Sequence, residues 1–90
     1  MVIAPELKIR NAAALHSSFA AELESGTGPL RVDLGGVEAI DAAGIQLLVS
    51  AQSAAEAAGR RFELQAASEV VDRALTLVGL ADRFGRPARY

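Results

Sequence analysis

The run from Val32 to Leu48 constrains this chain most. Val32 and Leu34 alternate with Asp33 at the period of a half-buried strand, and Gly35-Gly36 breaks it. Residues 37–40 form a brief extended link ending at Asp41. From Ala42 onward Ile45, Leu48, Ala51 and Ala55 recur at helical spacing, with Leu47, Ala54 and Ala58 beside them. The run therefore predicts a buried strand, a tight loop and a helix packed on a sheet, with a small surface site where the loop enters the helix. An oxygen-bearing side chain directly after Asp41 would be a natural phosphate acceptor there, and that position is Ala42.

The flanking sequence extends the alternation. Residues 2–4 read as a short strand stopped by Pro5, with a second extended piece over 7–9. Asn11 is the expected N-cap of a first helix whose buried face carries Ala12, Leu15, Phe19 and Leu23. Gly26-Thr27-Gly28-Pro29 ends that helix, and a strand follows over 30–34. The second helix is expected from about Ala42 to Ala58, with Gly59 as its stop. Residues 62–65 are the next strand. Ser68 caps a third helix, with Glu69 and Asp72 placed for its dipole and Val71, Leu75 and Val78 as its inner stripe. Gly79 ends it and Leu80 packs back; residues 85–90 are expected to be a loosely ordered tail.

Strand and helix alternate, so the expected fold class is α/β: a small mixed or parallel β-sheet with helices packed mainly on one face. With 90 residues the chain is one domain, 1–90, that buries roughly 60–65 % of its unfolded surface. Its aromatics are few, so the core is expected to be aliphatic.

Composition removes several function classes. The net charge is −2 and no basic stripe occurs, which argues against a nucleic-acid partner. The chain has no cysteine, so disulfides, thiolate metal sites and cysteine nucleophiles are excluded. No apolar run approaches the ~20 residues of a membrane span, so direct membrane insertion is not expected, and the N-terminus does not read as a signal peptide. A cytoplasmic protein is the expectation.

Single residues support no catalytic set. His16, the sole histidine, has no acid or second histidine at i+4 and reads as a surface or boundary residue; no metal site is expected. The serines have no accompanying base, and Glu22, Glu24 and Glu56 read as solvated helix faces. Asp41 reads as a helix N-cap that can also meet a partner. A phosphoaspartate role is not supported, because the acidic cluster is missing and Lys8 is the single lysine. Gly35-Gly36 reads as a turn, and Gly44 as allowing either close helix–sheet approach or an unusual backbone angle. Arg60-Arg61 is taken to flank a strand edge, where charge discourages further pairing.

Asp33-Leu34 followed by Asp41-Ala42-Ala43-Gly44-Ile45, with Gly59 before a strand and Val78-Gly79-Leu80 near the end, resembles the STAS domain, the fold of anti-sigma factor antagonists. The resemblance spans about Pro5 to Phe84. It implies a non-enzymatic regulatory module of bacterial partner switching, signal transduction and transcription regulation, with no cofactor. Its partner would be an anti-sigma factor or a histidine-kinase-like ATPase. In that family the residue after the loop acid is the phosphorylated Ser or Thr, so Ala42 implies a docking surface that phosphorylation at this position does not switch. The short N-terminus also resembles MlaB-type proteins, which implies the alternative of an accessory subunit on the ATPase of a phospholipid-transport ABC complex. The implied partner-binding residues are Gly35, Gly36, Asp41, Ala42, Ala43 and Gly44 of the loop, and Gln46, Ser50 and Ser53 on the exposed side of helix two. A weak homodimer through an uncovered sheet face or edge is a further expectation. The reading from another class is a small ligand-binding domain or enzyme; no convergent polar set supports it.

Overall fold

The computed structural model describes residues 1–85. In chain order these form β1 (Glu6–Leu7), α1 (Ile9–Ser25), β2 (Leu30–Leu34), β3 (Ala39–Ile40), α2 (Ala42–Ala57), β4 (Phe62–Ala67), α3 (Glu69–Leu77) and a 3-10 turn, Asp82–Phe84. The α/β class is as expected. β2 pairs with β4 and β1 with β3, both in parallel. The N-terminal segment joins the two ladders, because Val2 bridges Asp33 of β2 while Glu6 and Leu7 pair with Ala39 and Ile40.

Alternation along β2 decides which side is covered. Leu30, Val32 and Leu34 are buried, whereas Arg31 faces solvent and pairs across the ladder with Glu63 at 3.0 Å. The largest fully buried side chains are all leucine or valine, among them Leu7, Leu48, Val71 and Leu75. The core is thus mainly aliphatic, as expected from its composition, with Phe19 and Phe84 buried in it. Phe84 of the 3-10 turn closes one end, edge-on to Phe62 at 5.8 Å.

Both predicted glycine stops hold for a common reason. Gly59 and Gly79 have φ of 74° and 77°. In each case the following amide, Arg60 or Leu80, turns back 2.8 Å to a carbonyl in the last helical turn.

Five local expectations change. The first strand reduces to the single bridge at Val2, and the extended piece at 7–9 pairs only at Leu7. Helix α1 begins at Ile9, so Asn11 is its third residue and not its cap; the Asn11 side chain instead accepts from the Lys8 amide at 3.2 Å. Strand β4 continues to Ala67 by skipping Gln65, since Val32 faces Leu64 and Asp33 faces Ala66. Val78 leaves the inner stripe of α3: the helix ends before it, and the side chain is 52 % exposed. Asp72, placed for the helix dipole, is buried at 2 % exposure. Gly85 ends the 3-10 turn with φ 68°; the rest of the expected tail lies outside the described residues.

Candidate functional site

Helices α1 and α2 each follow a strand of one parallel sheet, so they run side by side in the same direction. Their N-termini therefore meet, bringing the positive ends of two helix dipoles together. Asp41 occupies that point. Its Oδ1 accepts from the Gly44 amide of α2 at 3.0 Å, and its Oδ2 accepts from the Ile9 amide of α1 at 3.0 Å. The Ile9 amide and then that of Gly44 hold the carboxyl below its usual range, with smaller pulls from the Ala43 amide and Lys8. The capping role of Asp41 on α2 was legible from propensity. Its bond to α1 joins residues 32 positions apart and had no local signal.

Backbone contact fixes the height of α2 above the strands. The Asp41 amide donates to the Leu7 carbonyl at 3.2 Å. A Cβ added to Gly44 would lie 2.0 Å from that same oxygen. Gly44 is buried and serves close helix–strand approach; it offers no side chain to a partner. Gly35 and Gly36 occupy a separate exposed turn, where the Gly35 amide donates to Asp33 Oδ1 at 2.8 Å. A Cβ at either would first meet Asp33, Ala66 or Ala4, none of them on α2.

Ala42 is the first residue of α2 and is exposed; Ala43 is half-buried. Gln46, Ser50 and Ser53 are exposed and follow at intervals of four and three, which aligns them with Ala42 on one face. The structure therefore gathers Ala42, Gln46, Ser50 and Ser53, while Asp41 and Gly44 build the turn beneath them. Ser53 is braced from the side: Arg83 Nη2 donates to its Oγ at 3.2 Å. Arg83 also exchanges two hydrogen bonds with buried Gln52, whose Nε2 reaches the Arg83 carbonyl at 2.8 Å. This brace ties the 3-10 turn to α2, and sequence reasoning missed it because neither residue stands out alone.

Arg60 was also misassigned. Its Nη1 donates to the carbonyl of Glu22 at 2.8 Å and its Nε to that of Gly28 at 2.6 Å. It closes the C-terminal end of α1 and the loop after it, and does not guard a strand edge. Among the described residues, no group of three His, Asp or Glu could hold a metal ion, and no buried side-chain polar atom lacks a partner.

Two small parallel ladders with three helices, and an exposed helix face beginning at a capped loop, are compatible with one family of small α/β domains. The chain belongs to the STAS-domain family: the family model described as Mlab, STAS domain matches residues 1–85. No curated protein matches the chain. STAS domains are in general interaction modules without enzymatic activity, and they typically engage protein partners. Among the described residues, no helix is long and apolar enough to cross a membrane.

Proposed function

We propose that this domain docks onto a protein partner through the outer face of α2, in the cytoplasm, and that Ala42 takes the place where relatives are phosphorylated. One observation carries the reading. Residues 42–55 hold no Asp, Glu, Lys or Arg, although Ala42, Gln46, Ser50 and Ser53 are exposed. A solvated helix face needs no such neutrality, whereas the centres of protein interfaces are depleted of charge.

Ala42 sets how docking is controlled. A phosphate beside Asp41 would add roughly −1.5 to −2 charges to a partner surface that already meets one carboxylate. Ala42 has no hydroxyl to receive it, so the surface stays in the state that unphosphorylated relatives present. The match to the Mlab family supports the ATPase of a phospholipid-transport ABC complex as the partner. The anti-sigma factor or histidine-kinase-like ATPase of partner switching would use the same face but needs a toggle at this position.

The test is titration calorimetry of the purified chain with that ATPase subunit and, separately, with an anti-sigma factor of the same genome. Ser50→Glu or Gln46→Arg should weaken the complex about tenfold or more while the thermal midpoint stays nearly unchanged. Unaltered affinity moves the interface off α2. In the presence of a partner-switching kinase and ATP, Ala42→Ser gains phosphate by mass spectrometry if a kinase-docking surface persists; no gain supports the ABC-complex reading.

A further inference from the structure

Helices α1 and α2 leave a continuous groove between them. One stretch, about 340 Å³, is lined by Ala12, Ala13, Ala43 and Gln46. The next, about 180 Å³, is lined by Phe19, Ala20, Leu23, Ala51 and Ala54. His16, Leu47 and Ser50 line both, so the two are one channel. From Ala12 to Leu23 the α1 wall rises about 16 Å, or three helical turns.

The α1 wall shares the neutrality of the α2 wall. Residues 11–21 contain no Asp, Glu, Lys or Arg, as do residues 42–55. At the chain's own 22 % of charged residues, those two stretches together would carry about five. No Asp, Glu, Lys or Arg lines the groove, and the nearest along the two helices are Arg10, Glu22 and Glu56.

We infer that this groove seats an α-helix of the partner protein, about three turns long, with small and apolar side chains and no ionised group on its seated side. The inference rests on the α2 docking reading and names the element that docks. Electrostatic matching selects the occupant: His16 is the one ionisable side chain lining the channel, and away from it an ionised side chain pressed in would lose its water and gain no partner. Shape selects it as well, because a channel between two parallel helices with low alanine walls admits a third helix at close range. A second copy of this chain fits less well. Its exposed apolar side chains on α3, Val70 and Leu77, span eight residues and share their surface with Glu69 and Arg73.

The test uses the full ¹⁵N-labelled chain and a hydrocarbon-stapled helical peptide of about twelve residues. The peptide has leucine at i, i+4, i+7 and i+11 and alanine, glutamine or serine elsewhere; a matched peptide has glutamate at i+4. The leucine peptide should shift the amides of Ala20, Ser50 and Ala54, and the glutamate peptide should bind about tenfold more weakly. Ala20→Leu and Ala54→Leu, which narrow the channel from its two walls, should each remove the shifts without lowering the thermal midpoint. Shifts confined to residues 69–77, or none at millimolar peptide, overturn the inference. So does monomeric dihexanoylphosphatidylcholine moving the groove amides when the peptide does not, which assigns the channel to a lipid. A dimer in sedimentation that Ala54→Leu abolishes assigns it to a second copy and likewise overturns the inference. The ATPase arm separates the two claims. Peptide binding without ATPase binding keeps the groove assignment and removes the proposed partner. ATPase binding that Ser50→Glu or Gln46→Arg weakens but Ala20→Leu leaves intact keeps the α2 face and removes the groove.

Discussion

At the N-terminal ends of α1 and α2 one carboxylate, Asp41, accepts from both helices. At their C-terminal ends one arginine does the converse: the Arg60 guanidinium donates to the last carbonyls of α1, and its own amide closes α2 on Ala55. Two parallel helices side by side bring like dipole ends together, and each end is met by the opposite charge. The ends differ in how they are built. The Asp41 end is tight, since Gly44 is needed for lack of space against Leu7. At the Arg60 end Gly59 is open, with nothing within 4 Å of a built Cβ, and is needed for its φ of 74°. The difference places the rigid, sterically fixed end under Ala42, where the proposed docking face begins.

Substitutions at the two glycines break this comparison most directly. Gly44→Ala forces backbone apart at Leu7 and should cost about 3 kcal/mol or more in urea unfolding. Arg60→Ala removes several charge-assisted bonds to carbonyls and should cost about 2 kcal/mol. Arg60→Lys should recover part of this, because one ammonium cannot span carbonyls as far apart as Glu22 and Gly28. Gly59→Ala meets no atoms and should cost about 1 kcal/mol, from the strained φ alone. A Gly44→Ala effect no larger than that of Gly59→Ala would show that the two ends are not built differently.

Acid sharpens the comparison. The Asp41 carboxyl is held below its unfolded value by the Ile9 and Gly44 amides. Its contribution is therefore complete above about pH 4, the ordinary aspartate range, and is lost as pH falls through the lowered folded value. Asp41→Asn should flatten this part of the acid profile and lower the midpoint at neutral pH, and Asp41→Ala should lower it further, since the amide keeps one oxygen for one helix. Glu6, lowered chiefly by its bond to Arg10, titrates in every variant and cancels in the comparison. Arg60 variants keep Asp41 and both of its amide donors and should show the same acid slope as the parent. A parent profile identical to that of Asp41→Asn below pH 4 would remove the carboxylate from the account.

Much of the architecture was legible because its signals are short-ranged. The start of α2 at Ala42, the Ser68 cap and the stops at Gly59 and Gly79 follow from neighbours within a turn. Asn11 misled because the α1 amide at Ile9 is satisfied from Asp41, far along the chain, which lets the helix begin earlier. Val78 misled because periodicity does not say where a helix stops. Of the expected docking residues, Ala42, Gln46, Ser50 and Ser53 share a surface; Gly44 is packing, and Gly35 and Gly36 form another turn.

By itself the sequence determined the alternation of strand and helix, the aliphatic core, the absence of a hydroxyl at position 42 and the neutrality of the helix faces. These are properties of residue identity and of spacing within a few positions. Tertiary structure alone decided that Asp41 ties two helices, that Arg60 closes the other end of the pair, and that the neutral stretches of α1 and α2 lie on the walls of one channel. Those facts depend on residues about 30 positions apart becoming neighbours, and helical period and capping propensity, which act within a turn, carry no information about that.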